Sequence, residues 1–346
     1  MRDVVAAAYR RWAHAEAEGV SDTYFAWAMA IADAPGALER IATLPTAKWQ
    51  PNLVFAAAHA AGAPLGSPEA STTWLEQHWA SVEPIIRARS TQTNEAGRCA
   101  VLLPTLSRLT GPVALIEAGA SAGLCLFPDR YSYRYAVGGT TVSIDPPDGA
   151  SEVIASCTVD GALPPVRLPD VAWRAGVDLH PIDPRDAEQV AWLETLVWPE
   201  HEHHRRRLQA AAAIAAEDPP RIVAGDIVER IPSLVAEAPA GSHVVVFHSA
   251  VLAYLTPERR TMFVEMIESL PEVTWISNEG ESVLPTVDAQ VAEPIAGITV
   301  LAVNGRAMAL VGPHGQRYQA LDAPAAPASA ARRRRARTAS LPTTGA

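Results

Sequence analysis

Residues 113–126 read Val-Ala-Leu-Ile-Glu-Ala-Gly-Ala-Ser-Ala-Gly-Leu-Cys-Leu. Val113 to Ile116 is a short apolar run, entered through Gly111-Pro112 and left at Glu117, which is how a parallel strand buried on both faces reads. From there to Gly123 every second residue is acidic or small: Glu117, Gly119, Ser121, Gly123. A chain that turns sharply and lets a ligand approach its backbone needs such residues, since glycine adopts left-handed conformations without steric penalty. The stretch predicts a strand, a tight turn and the opening of a helix, whose free N–H groups would face a polar or anionic group. A carboxylate ending an apolar strand is expensive unless something pairs with it, which makes Glu117 a candidate binding residue.

Gly119-Ala-Ser121-Ala-Gly123 also satisfies the nucleophile-elbow pattern of serine hydrolases. In that arrangement several strands precede the elbow, and here the preceding residues read as helices. Ser121, Asp226 and either His248 or His314 still occur in an order open to a triad. A dinucleotide fingerprint needs glycines at other spacings than this turn provides.

Upstream, residues 1–108 carry apolar positions at helical spacing, as in Val4-Val5-Ala8-Trp12 and Tyr24-Trp27-Ala28-Ile31, with Ser21-Asp22 as an N-cap. This predicts a helical lid subdomain. Downstream, apolar runs at 171–179, 221–224, 243–247 and 273–276 alternate with helical segments at 186–216 (broken at Pro199), 227–236 and 257–270. Such alternation means βαβ units and a mostly parallel sheet. Two hairpins interrupt it. Segments 131–137 and 140–144 flank Gly138-Gly139 within an insertion at about 129–169, and 298–303 and 306–311 flank Asn304-Gly305, a type I′ turn signal near the C-terminus. The expected architecture is α/β and Rossmann-like over residues 109–320, with an antiparallel C-terminal hairpin closing the edge of the sheet and a disordered basic tail at 321–346.

The formal charge is −10. The tail holds five Arg and one Asp, or +4, leaving −14 on the body. An acidic body carries no strong nucleic-acid signal. The apolar runs are too short to span a bilayer and the N-terminus lacks the look of a signal peptide, so a cytoplasmic protein off the membrane is expected. Cys99, Cys125 and Cys157 lie at no metal-like spacing and suit reduced, packed thiols. Glu200-His201-Glu202-His203-His204 meets no zincin spacing and, running into Arg205-Arg206-Arg207, reads as the solvated start of a helix; no metal is expected. Arg332 to Arg335 with Arg337 reads as a weak electrostatic tether or an inert tail. Leu341-Pro342-Thr343-Thr344-Gly345 matches a sortase pentapeptide without an export signal before it or an apolar anchor after it.

The Glu117–Gly123 register resembles the donor-binding turn of class I S-adenosylmethionine-dependent methyltransferases, with Ser121 where glycine is usual there. Further stretches are similar to an uncharacterised bacterial family of unknown function with a methyltransferase-like fold: Gln92-Thr93-Asn94-Glu95-Ala96-Gly97-Arg98, Asp129-Arg130-Tyr131, 173–183, Val197-Trp198-Pro199-Glu200-His201 and 244–255. The likeness spans residues 5–315. That likeness implies the fold and a bacterial source, while the resemblance to class I methyltransferases implies S-adenosylmethionine as cofactor, bound by Glu117, Gly119, Ser121, Gly123, Asp178 and Asp226. Asp178 would take the ribose hydroxyls, with Asp183 as the alternative, and Asp226 the adenine amino group. His248, ending the fourth strand, would face the methyl group as general base or positioning group. Asn94, Glu95 and Arg98 would reach the donor's carboxylate or the acceptor, and Glu279 would line the pocket of that acceptor, a small molecule or another group of unknown identity. A serine hydrolase using Ser121 and a non-catalytic nucleoside-binding protein remain the competing readings.

Overall fold

A computed structural model of the chain describes residues 1–292 and 297–321. The basic run at 332–337 and the pentapeptide at 341–345 lie outside the described residues. Helices come first: α1 (Arg2–Trp12), α2 (Asp22–Ala32), α3 (Pro35–Ile41), α4 (Pro51–Ala60), α5 (Pro68–Gln77), α6 (Trp79–Ala88) and α7 (Cys99–Leu106). Local chemistry sets their starts. Ser21 Oγ accepts the Tyr24 N–H at 3.1 Å, and Ser67 Oγ accepts that of Ala70 at 3.2 Å. Proline fills the first turn of α3, α4 and α5, where a missing N–H costs nothing.

Among the described residues, the part that follows builds one eleven-stranded sheet with further helices packed on it. Its strands are β1 (Pro112–Ala118), β2 (Ser132–Val137), β3 (Thr140–Ile144), β4 (Ile154–Asp160), β5 (Asp170–Asp178), β6 (Arg221–Ala224), β7 (His243–Ser249), β8 (Val273–Glu279), β9 (Thr299–Val303), β10 (Arg306–Val311) and β11 (Arg317–Ala320). Their order is β3-β2-β4-β11-β10-β9-β8-β7-β1-β5-β6. Neighbours from β8 through β7, β1 and β5 to β6 run parallel, whereas β8 to β11 form an antiparallel meander. Later helices are α8 (Ala187–Thr195), α9 (Glu202–Glu217), α10 (Ile227–Glu237), α11 (Pro257–Ser269) and α12 (Pro285–Asp288). The protein is thus a mixed α/β structure built on a large, mostly parallel sheet.

Strand β1 shows why the sequence carried this signal. Its side chains alternate between two cores, Val113 and Leu115 with α1–α9 on one face, Ile116 and Ala118 with α10 and α11 on the other. The first core runs without interruption from Tyr24 and Phe55 through Val101 to Leu115 and Tyr133, so the N-terminal helices share one interior with the sheet.

Three expectations need correction. No helix opens after the glycine turn: β1 leads into a single 3-10 turn, Leu124–Leu126, and then to β2, which lies beside the far edge strand β3. Positive φ at Gly119 (73°), Ser121 (49°) and Gly123 (71°) breaks helical geometry at alternate residues. The sheet face is covered instead by helices from elsewhere in the chain. Second, the insertion at 129–169 is more than a hairpin, because β2 also pairs with β4, and β4 with β11, extending the same sheet. Third, the Asn304-Gly305 turn has the positive φ values of type I′ (48° and 73°), but its hairpin lies inside the sheet and is not its edge.

Candidate functional site

Strand order reverses beside β1, whose neighbours β5 and β7 are reached by connections on opposite sides. At such a switch point the carboxyl ends of the strands splay and leave a crevice. The glycine turn after β1 is pinned there. The Gly119 and Ala120 N–H groups donate to Val177 O at 2.8 and 3.1 Å, and Ser121 N donates to Asp178 Oδ2 at 2.8 Å. Gly119 has no alternative: a Cβ would stand 2.5 Å from Val251 Cγ2.

The crevice is a cavity of about 490 Å³, within the usual range for small-molecule sites. The strand-end side contributes Glu117, Gly119, Ser121, Asp178, Asp226 and the 249–255 loop; the helical side contributes Lys48, Gln50 and residues 90–95 with Arg98. Amides bolt the two sides together. Asn94 Nδ2 donates to Ser121 Oγ at 2.8 Å and its Oδ1 accepts the Ala122 N–H at 3.0 Å, while Gln92 Nε2 donates to His180 O at 2.9 Å. Leu179 and Tyr254, 66% and 76% exposed, form apolar lips on the loops after β5 and β7.

The charged groups fall into three kinds. Asp178 and Asp226 partly serve the backbone. Asp178 Oδ1 accepts the His180 N–H at 2.8 Å, and Asp226 Oδ1 caps α10 through Val228 N at 2.8 Å and pairs with Arg259. Glu95 is a buried ion-pair hub, its oxygens taking His204 Nδ1 at 3.0 Å and Arg207 Nε at 2.8 Å. Burial alone would raise its carboxyl, but those two partners hold it far below the usual range. Glu117 and Arg98 form the third kind. Glu117 is buried, and its Oε2 has no hydrogen-bond partner. Burial, reinforced by Cys125 and Asp178 and opposed by Arg98, pushes its carboxyl well above the ordinary value. Arg98 is also buried and forms no ion pair among the described residues; its Nε donates to Pro313 O at 2.9 Å and its Nη1 to Ser249 O at 3.2 Å.

Four sequence-derived candidates stand elsewhere. His248 is fully buried and does not line the cavity. Its Nδ1 donates to Glu279 Oε1 at 2.6 Å, and its Nε2 accepts from Trp275 Nε1 at 3.0 Å, so neither nitrogen is free to act as a base. Glu279 likewise faces inward: the same oxygen accepts the Val251 and Leu252 N–H groups at 3.0 and 3.1 Å, fixing the loop that forms one cavity wall. Gly123 packs against Pro220 and Ile222 away from the crevice. Asp183 pairs with Arg185 and does not reach the cavity. Ser121 sits in the site, yet the hydroxyl's bond is to Asn94, and no histidine lines the cavity near it except His180 on the rim.

Sequence reasoning missed Lys48, which lies in a segment with no motif, and gave no role to Gln92, Leu179 or Tyr254, although each lies in a stretch that carries the family resemblance. It also took the 200–207 run as solvated. One side of α9 in fact carries His204 and Arg207 onto Glu95, while Arg206 on the other side is 76% exposed. Among the described residues no group of three or more His, Cys, Asp or Glu is placed to hold a metal, and no helix is long and apolar enough to cross a membrane.

Residues 6–319 match the model of a family described as an uncharacterized protein conserved in bacteria (DUF2332). The chain belongs to that bacterial family. Neither the comparison with curated proteins nor that with solved structures gave a match.

Proposed function

We propose that the cavity binds S-adenosylmethionine on a Rossmann-like core and that the chain is a methyltransferase-like protein acting on a small acceptor. One observation carries this reading: Glu117, Asp178 and Asp226, from three successive parallel strand ends, line a single cavity beside the glycine turn. Each is a half-buried or buried carboxyl able to accept hydrogen bonds, and Glu117 retains an unpartnered oxygen, so the donor set fits a ligand rich in hydroxyl and amino groups. Asp178 would hold the ribose hydroxyls through lone pairs left by Ser121 and His180, and Asp226 the adenine amino group. The bound sulfonium supplies an already activated methyl group. The protein's work is to align donor and acceptor and to exclude water. The Asn94 and Gln92 bridges hold the helical wall over the turn, and the His248–Glu279 pair holds the opposite wall.

The hydrolase reading draws no support from Ser121, whose hydroxyl bonds an amide and whose turn opens no helix. Calorimetry of the full chain with S-adenosylmethionine, S-adenosylhomocysteine and methylthioadenosine tests the proposal. Binding is expected in the micromolar range, weakened about tenfold or more by Asp178→Asn or Asp226→Asn (about 1.4 kcal/mol per decade). Absence of heat at millimolar nucleoside would refute it. Binding without methyl transfer to any small-molecule fraction would favour a nucleoside-binding protein instead.

A further inference from the structure

The chain has 28 lysines and arginines, and only one of them, Lys48, is a lysine. That lysine lines the cavity, on its helical wall. Its half-buried Nζ donates to Arg89 O at 2.5 Å and to Ser90 Oγ at 3.3 Å, and it forms no ion pair among the described residues. Those two acceptors are themselves held: the Arg89 guanidinium lies over the Trp192 ring, and Trp192 Nε1 donates to Ser90 O at 3.3 Å. An ammonium carries three donors, so one is left over. A compact, rotatable head can meet a carbonyl, a hydroxyl and a third group at tetrahedral angles, which the planar fork of an arginine cannot. Burial draws the ammonium below its ordinary range, the mark of a cation without a counter-ion.

The neighbouring chain continues this surface of donors. Ser90 to Asn94 line the same wall outside any helix or strand, and their N–H groups meet no acceptor among the described residues. Thr91 Oγ1 donates to Gln50 Oε1 at 2.8 Å, which leaves the Gln50 NH2 as the free end of that amide. The acid on this wall, Glu95, is already committed to His204 and Arg207. Free acceptors thus stand at the strand ends, on Glu117 and Asp178, whereas the wall at Lys48 offers donors and positive charge. Backbone N–H groups beside a cation are the makings of an anion site.

We propose that Lys48 and the 90–94 backbone select the second substrate, a small organic acid whose oxyanion (carboxylate or phosphate) they hold while its apolar body lies against Leu53, Leu179 and Tyr254. The inference rests on the methyl-donor reading, which seats the nucleoside on the strand-end acids and leaves this wall to the acceptor. A neutral acceptor would leave Lys48 without a counter-ion, and a cationic one would add positive charge beside both Lys48 and the sulfonium. Lys48 is then a specificity residue.

Because Lys48 is the only lysine, the full chain grown with 13C-labelled lysine reports on this one side chain by NMR. Acetate, inorganic phosphate and phenylacetate are titrated against the neutral phenylacetamide. Acetate or phosphate should move the Lys48 Cε signal saturably, and the stronger of the two names the oxyanion. Phenylacetate should bind about tenfold more tightly than acetate through its apolar body, and phenylacetamide should leave the signal in place. In calorimetry, Lys48→Met should weaken phenylacetate about tenfold or more and keep S-adenosylhomocysteine within about threefold, which also shows that the variant folds. Lys48→Arg should recover only part of the loss. A signal that no oxyanion moves, one that phenylacetamide moves equally, or undiminished phenylacetate binding in Lys48→Met overturns the proposal. S-adenosylhomocysteine binding beside a silent Lys48 would refute this inference alone. Oxyanion binding at Lys48 in a chain that binds no nucleoside would uphold the anion site and refute the donor reading.

Discussion

The indole Nε1 of Trp275 donates to Nε2 of His248 at 3.0 Å, and this bond fixes what the histidine is able to do. Indole nitrogen only donates, so Nε2 is the acceptor and the ring proton resides on Nδ1, directed to Glu279. The ring also packs edge-on to Phe263. His248 is therefore a positioning group acting through Glu279 on the cavity wall. Trp275→Phe removes the donor and strands a fully buried acceptor, a loss of about 1–3 kcal/mol. Urea unfolding monitored by circular dichroism should show this loss. A variant as stable as wild type would show that Nε2 had no need of its partner.

Acid stability should depend on Glu95 and Glu279. Burial raises both carboxyls, but His204 and Arg207 on Glu95, and His248 with the Val251 and Leu252 amides on Glu279, bring each below the ordinary glutamate value of 4.5. A carboxyl whose folded pKa is depressed contributes stability that is present above its unfolded pKa and is lost as pH falls through the folded one. Stability should thus decline progressively below about pH 4.5. Glu95→Gln and Glu279→Gln should each be less stable at neutral pH and show a flatter acid limb. Denaturation midpoints measured from pH 7 to pH 3 decide this, and an acid limb parallel to wild type would be the contrary result.

Glu117 carries the opposite sign. Its folded carboxyl is raised by burial, so its contribution is present below the unfolded value and is lost as pH rises through the folded one. At neutral and alkaline pH the charged form is penalised, each unit of upward displacement corresponding to about 1.4 kcal/mol. Glu117→Gln should raise the melting temperature above neutrality and leave it nearly unchanged near pH 4. A buried acid that weakens the empty protein is what a ligand-binding group looks like before its ligand arrives. A melting temperature lowered at every pH would mean that Glu117 is structural.

The sequence disclosed the parallel strands because each is apolar on both faces, as in β1, β7 and β8. Its strand-end acids were legible for the same reason, since charge stands out after Val-Ala-Leu-Ile. The far edge was not: β4 reads Ile-Ala-Ser-Cys-Thr-Val-Asp and β11 only Arg-Tyr-Gln-Ala, and their partners are remote in sequence, so no local pattern announces the pairing. The missing helix after Gly123 was hidden for a different reason. A glycine-spaced turn predicts sharp bending, but the direction taken afterwards depends on contacts such as Gly123 with Pro220, far along the chain. His248 was misplaced by one step. A histidine at a strand end was read as facing the ligand, whereas β7 turns that ring towards Trp275 on β8, and only the partner's identity reveals this.

Gly119 permits a test of how tightly the turn and the 249–255 loop are joined. Its φ of 73° costs an L-residue about 1–2 kcal/mol. An added Cβ would also stand 2.5 and 3.0 Å from the two methyl carbons of Val251, whose N–H is tied to Glu279 at 3.0 Å and cannot readily retreat. Gly119→Ala should therefore destabilise by roughly 3 kcal/mol and weaken nucleoside binding. Gly139, at φ 84° with open space around its Cβ position, carries the strain without the clash. Gly139→Ala should lose only about 1 kcal/mol and leave binding unchanged. Adding Val251→Ala to Gly119→Ala removes the clash and keeps the strain, so it should recover part of the lost affinity in calorimetry. If the double variant binds no better than Gly119→Ala, Val251 is not what the glycine makes room for, and the loop and turn are coupled by some other contact.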